Sequence, residues 1–115
     1  MKESLTVQNK RLRGMLGFAM RAGRLIIGCE QVFTAMQKRG YVKLVGFCPQ
    51  ASEPTRKKIH TKCEFYGTPK VSLSITPEEL GSLLGKVTAP VCIGVTDEGF
   101  AKEIAKAASE ENNPD

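Results

Sequence analysis

Leu12, Met15, Leu16, Ala19 and Met20 recur at the spacing of one helix face. The pattern predicts a helix from about Val7 to Ala22, stopped by Gly23, with residues 1–6 frayed ahead of it. Leu25–Ile27 leaves room for only a short strand. From Gly28 the helical period returns: Cys29, Val32, Phe33 and Met36 form one face, Lys38 and Arg39 suit the last turn, and Gly40 ends it. "YVKLVGFCP", residues 41–49, reads as a strand bounded by Gly40 and Pro49. Ser52 then caps a helix with Pro54 in its first turn, Ile59, Cys63 and Tyr66 inward, and Gly67 at its end. "PKVSLSI", residues 69–75, alternates as a half-buried strand does.

Thr76, Pro77 and Glu79 write a capping-box start for a short helix that buries Leu80, Leu83 and Leu84. "PVCIGV", residues 90–95, is nearly continuously apolar, which predicts a central strand covered on both faces. Asp97 caps a last helix through Ala108, with Phe100, Ile104 and Ala108 on one stripe. Helices alternate with strands along the whole chain. This is an α/β pattern, a small sheet with helices packed on both sides. Strands joined through helices are often parallel, although a small sheet can be mixed.

The chain has 115 residues, 41% hydrophobic and 25% charged, enough for one domain with a real core. We expect a single domain over 1–115, its core about 8–108 and a polar tail at 109–115. No apolar run approaches membrane length and the N-terminus has no signal-like apolar segment, so no membrane partner is expected. Cys29, Cys48, Cys63 and Cys92 form no C-x-x-C pair and the chain has one histidine, which argues against zinc. We read the cysteines as small buried hydrophobes in a reducing, cytoplasmic setting.

The distribution of charge along the chain is uneven. The net charge is +5, but residues 1–96 carry 15 Lys+Arg against 6 Asp+Glu, and residues 97–115 carry 2 against 6. No acid occurs from Ser4 to Cys29, where Lys10, Arg11, Arg13, Arg21 and Arg24 all lie. A basic body of this kind favours a polyanion.

Catalytic chemistry finds little support. His60 stands alone in a basic helix, Glu78, Glu79, Asp97 and Glu98 are explained by helix starts, and no serine lies in a G-x-S-x-G context. "GSLLGKV", residues 81–87, is one residue short of a phosphate loop, has Val87 where Ser or Thr should bind magnesium, and ends a helix instead of opening one. Binding is better supported. The helix start at Gly28 leaves backbone N–H groups open and carries partial positive charge. Arg24, Arg21 and Arg13 are candidates for phosphates beside it. "RKKIHTK", residues 56–62, adds four cations, for which a solvated helix face is the plain alternative. The small, partly apolar loop "GKVTAP", residues 85–90, suits contact with an unstacked base, or is simply a connection.

"MLGFAMRAGRLIIGCEQV", "LVGFCPQASEPTRKKI", "CEFYGTPKV", "EELGSLLGK" and "VCIGVTDEGFAKEI" together resemble the kink-turn-binding ribosomal protein family, whose archaeal prototype is "L-seven-Ae". The look is nearest to its bacterial YlxQ-type branch and covers roughly residues 8–106. The resemblance implies a three-layer α/β/α sandwich around a small four-stranded mixed sheet. It implies no enzyme activity, no cofactor and no small-molecule substrate. Its implied partner is structured RNA, ribosomal or messenger, typically a kink-turn with tandem sheared G·A pairs, with the ribosome as a setting.

The family's helix-start pattern Gly-x-Asn-Glu-x-x-Lys falls here on Gly28, Glu30, Gln31 and Thr34. Gln31 can donate to and accept from base edges. Glu30 can accept from guanine N–H groups but repels phosphate, and Thr34 removes a cation. The family's second contact, a loop on a flipped-out nucleotide, falls on Lys86, Val87, Thr88 and Ala89. The resemblance implies that Arg24, the Gly28 helix start and this loop converge at one end of the sandwich. A protein-interaction module on the same fold remains the alternative. A substrate-reading accessory domain of an RNA-modifying enzyme ranks last.

Overall fold

The computed structural model describes the backbone of residues 2–112 and the side chains of residues 10–109. Residues 113–115 of the expected polar tail lie outside the described residues, while 109–112 continue the last helix. The elements are α1 (Lys2–Arg21), β1 (Leu25–Ile27), α2 (Cys29–Met36), β2 (Leu44–Phe47), α3 (Glu53–Tyr66), β3 (Lys70–Ser72), α4 (Pro77–Leu83), β4 (Cys92–Val95) and α5 (Glu98–Asn112).

Local chemistry places most of these ends. The Ser52 hydroxyl accepts the Thr55 N–H at 3.3 Å. Thr76 and Glu79 form the full capping box, Oγ1 of Thr76 accepting the Glu79 N–H at 3.1 Å and Oε1 of Glu79 accepting the Thr76 N–H at 2.9 Å. Asp97 Oδ2 accepts the Phe100 N–H at 2.9 Å and opens α5. These bonds satisfy amides that a helix start leaves without partners.

Several boundaries differ from the sequence reading. α1 is helical from Lys2, well ahead of Val7. α2 ends at Met36, not at Gly40, because Gln37 and Lys38 donate to Thr34 and Ala35, three residues back, and tighten the chain into a turn. The strand expected over 41–49 keeps sheet geometry only at Leu44–Phe47, and that expected over 69–75 only at Lys70–Ser72. Leu73 and Ile75 beyond it are buried in the core, so their apolar character serves packing rather than a longer strand.

The sheet is mixed, in the order β1-β4-β2-β3. β4 runs antiparallel to both β1 and β2, and β2 runs parallel to β3. The core has two parts, one on each face. Leu12, Leu16, Leu80 and Ile104 fill the side of α1, α4 and α5; Val32, Met36 and Ile59 fill the side of α2 and α3. The result is an α/β/α sandwich. All four residues of β4 are buried, as the continuous apolar run predicts for an inner strand.

The topology has one consequence for function. β1, β2 and β3 point the same way, so α2, α3 and α4 all begin at the same rim of the sheet. The loop entering β4 arrives at that rim too, because Cys92 pairs with Phe47 at the end of β2. Carboxyl ends of strands in open α/β sheets are where ligands commonly dock.

Candidate nucleic-acid interface

Gly28 is the hinge of the site. Its N–H donates to the Cys92 carbonyl at 2.9 Å, and its own carbonyl accepts the Val32 N–H at 3.0 Å. One residue thus ends the sheet ladder and starts α2. Its φ of 103° and ψ of 143° favour glycine. No side chain caps α2, so the amides of its first turn face outward without an intrahelical partner. Glu30, Gln31 and Thr34 are exposed beside them and line a shallow cleft of about 350 Å³.

The loop 86–89 stands at the same rim, three residues before Cys92 at its nearer end. Gly85, at φ 70°, turns the chain out of α4, and the Lys86 N–H ties back to the Gly81 carbonyl at 2.8 Å. Lys86, Val87, Thr88 and Ala89 are exposed, and Val87 is fully so. An aliphatic side chain at a loop tip with no protein neighbour gains nothing from folding. It is available to a partner.

Arg24 is a correction to the expected convergence. Its carbonyl accepts the Thr96 N–H at 3.0 Å, which places it at the far end of β1, beyond the end of β4. Four residue steps separate it from Gly28, about 13 Å at ~3.3 Å per residue. The structure therefore sets Gly28, Glu30, Gln31 and Thr34 at the same rim as Lys86 to Ala89, and the Arg24 backbone at the opposite end of the strand. The basic residues of α1 are also differently placed from expectation. Arg13 lies 3.1 Å from Glu79 on α4 and Arg11 lies 3.7 Å from Glu103 on α5. Arg21 rests over the Phe18 ring at 5.0 Å. The Thr76 backbone N–H, with Arg13 beside it, holds the Glu79 carboxyl below its usual value. His60 is exposed, 3.6 Å from Glu64.

Cys48, Cys63 and Cys92 are buried, and burial pushes the Cys48 and Cys63 thiols up to about 11. Cys29 departs from the buried-hydrophobe reading. It is only half-buried, and a hydrogen bond from Cys92 lowers its thiol to about 7, against the opposing effects of burial and Glu30; the same bond drives Cys92 upward. The sequence carried no sign of this pair, since 63 positions separate the two cysteines. Among the four, Cys29 is expected to alkylate first with iodoacetamide, with an apparent pKa near 7. Cys92→Ala should return that value toward an ordinary thiol. Site-resolved mass spectrometry over a pH series checks both.

Gly81 is a second residue that spacing did not single out as part of the site. A Cβ there would stand 2.7 Å from the Thr88 carbonyl oxygen and 3.2 Å from Pro90 Cδ. The missing side chain lets the 86–90 segment lie against α4. A glycine inside a helical pattern is the signal that could have found it.

No group of three or more His, Cys, Asp or Glu side chains suited to a metal occurs among the described residues. No helix there is long and apolar enough to cross a membrane. Fold and rim together define a small α/β/α sandwich that offers an open helix start and an apolar-tipped loop at one rim of its sheet. The chain matches the model of the "Ribosomal protein L7Ae/L30e/S12e/Gadd45 family" over residues 10–105 and belongs to that family, as a YlxQ-type member. It is 36% identical over 89 residues to the RNA-binding protein YlxQ of Enterococcus faecium, covering 77% of this chain and 82% of that one. The RNA-binding protein YlxQ of Bacillus subtilis (strain 168) is 34% identical over 90 residues, covering 78% and 87%. A solved structure of a protein of unknown function from Bacillus halodurans superposes with a TM-score of 0.78 at 37% identity, covering 87% of this chain and 98% of that one. The Giardia lamblia 15.5kD RNA binding protein shares the fold, with a TM-score of 0.68 at 15% identity over 95% and 88% of the two chains.

Proposed function

We propose that this protein is a single-domain, non-enzymatic cytoplasmic RNA-binding protein that grips a sharply bent stem, such as a kink-turn of ribosomal or messenger RNA, at the α2 rim. The observation that carries the reading is the pairing of an uncapped α2 start, exposing Gln31, with a neighbouring loop whose Val87 is wholly exposed. Membership of the family and the RNA-binding function of the YlxQ relatives support it.

The chemistry follows from the atoms. The open amides of α2 and the Gln31 amide donate to base edges and phosphate oxygens. Glu30 accepts from guanine N–H groups, which sheared G·A pairs display, and Thr34 adds a hydroxyl. Val87 and Ala89 press on an unstacked base while Lys86 meets a phosphate. Arg24 serves only an RNA long enough to reach the other end of β1.

A stem carrying an internal loop with tandem G·A pairs is expected to bind more tightly than a fully paired stem of equal length. Its affinity should fall as salt rises, with a log–log slope of about −0.7 to −0.9 per phosphate contact. Titration of both RNAs across a salt series checks this; equal affinities would leave general RNA binding and remove the bent-stem claim. Glu30, an anion where phosphate would approach, favours the competing reading of a protein-interaction module. A stoichiometric protein partner retained after nuclease treatment and insensitive to salt would establish that reading instead.

A further inference from the structure

The positive charge of this protein is unevenly paired with carboxylates. On α1, Arg11 and Arg13 face Glu103 and Glu79. On α3, Lys58 and Lys62 lie over the Phe33 ring at 5.5 and 5.9 Å. Arg56 and Lys57, also on α3, are exposed and have no ion pair among the described residues. Lys70, on the edge strand β3, is exposed over the Phe47 ring at 5.6 Å. These three cations line one groove of about 470 Å³ between α3 and that edge, with Phe47 and Ile59 as its apolar lining and Glu53 and His60 beside them.

Like charges gathered around one groove repel one another, and a polyanion relieves that repulsion. Cations above an aromatic and apolar lining are the combination found in tracks for single-stranded nucleic acid. The position agrees. Phe47 pairs with Cys92, whose carbonyl accepts the Gly28 N–H, so the groove and the α2 start share one row of the sheet. At ~4.8 Å per strand, Phe47 lies about 10 Å and β3 about 14 Å from β1. α2 and α3 also lie on the same face.

We propose that this groove holds the sugar-phosphate backbone of a single-stranded RNA segment leaving the α2 rim, with Arg56, Lys57 and Lys70 on its phosphates. The proposal rests on the RNA-binding reading of that rim and extends its footprint across the sheet to the opposite edge.

The test uses the internal-loop stem with and without a single-stranded oligouridine extension. The triple variant Arg56→Gln, Lys57→Gln, Lys70→Gln changes only exposed side chains, and an unchanged urea midpoint verifies its fold. The wild type should prefer the extended RNA. The variant should bind the extended RNA about tenfold more weakly, with a shallower salt slope, and bind the blunt RNA as the wild type does. If the wild type binds the blunt RNA and the variant matches it on both, the groove assignment is wrong while the rim reading stands. If the wild type binds neither, the rim reading falls and this proposal with it. If polyglutamate displaces the extension as well as free oligouridine does, the groove suits an acidic protein segment and the RNA assignment is overturned.

Discussion

Gly28→Ala is expected to lower both the stability of the protein and its affinity for RNA. The native φ of 103° with ψ of 143° lies in a region that an L side chain enters only under strain. Holding such a residue there costs about 1–3 kcal/mol. The added Cβ would also fall on the Gln31 side-chain oxygen. That oxygen ends a flexible chain and can swing away, so the clash itself adds little to the unfolding energy. Its expected cost is functional, because the displaced group is the one proposed to meet base edges. A urea midpoint measures the first effect and RNA titration the second. Affinity should drop by about tenfold or more, equivalent to roughly 1.4 kcal/mol. In a double-mutant cycle, Gly28→Ala and Gln31→Ala should be strongly non-additive in binding. An unchanged midpoint would show that the start of α2 relaxes freely and that glycine is not required there.

Gly81→Ala separates the loop from the helix that carries it. In an isolated helix the change would help by about 1 kcal/mol, since glycine is the poorer helix former. Here the new Cβ meets the backbone oxygen of Thr88 at 2.7 Å and Ala89 Cα at 3.6 Å. Backbone atoms of an anchored turn do not swing aside as a side-chain end does. Overpacking of this kind costs about 1–3 kcal/mol, so a net loss of about 1 kcal/mol is expected. The 86–89 loop should lift from α4 while the sheet stays intact. Affinity should fall by about tenfold for an RNA with an unstacked nucleotide and hardly at all for one without it. Amide chemical shifts would report the same division, moving at 85–90 and staying still in β2 and β4. Equal losses for both RNAs would mean that the loop does not contact the unstacked base.

The two substitutions probe different halves of the rim, and the sequence exposed them unequally. Gly28 could be read from the chain because it sits between an apolar run and a new helical period. Its backbone angle follows from that local need. Gly81 lies within "EELGSLLG", where a helix alone gives glycine no purpose. Its reason lies in the 88–90 segment, which reaches it only when the chain folds back. The groove beside α3 has the same character. Arg56 and Lys57 were visible as charge, but Lys70 and Phe47 come from other elements, and only the sheet edge joins them.

The order and kind of the elements are local properties of the chain. Hydrophobic period, the caps at Ser52, Thr76 and Asp97, and the glycines that end helices act over a few residues and need no tertiary context. The same signals placed Gly28 at a helix start and the 86–89 segment in a loop. Which charges remain available and which ends meet depend on the folded chain. Arg11 and Arg13 are turned toward Glu103 and Glu79 by the packing of α1 on α5 and α4. The antiparallel pairing of β1 with β4 brings Thr96 to the Arg24 carbonyl. Cys29 acquires its partner when the Gly28 N–H meets the Cys92 carbonyl. The physical reason is common to all three. Electrostatic and hydrogen-bond partners are set by distance in space, and the residues concerned stand scores of positions apart along the chain.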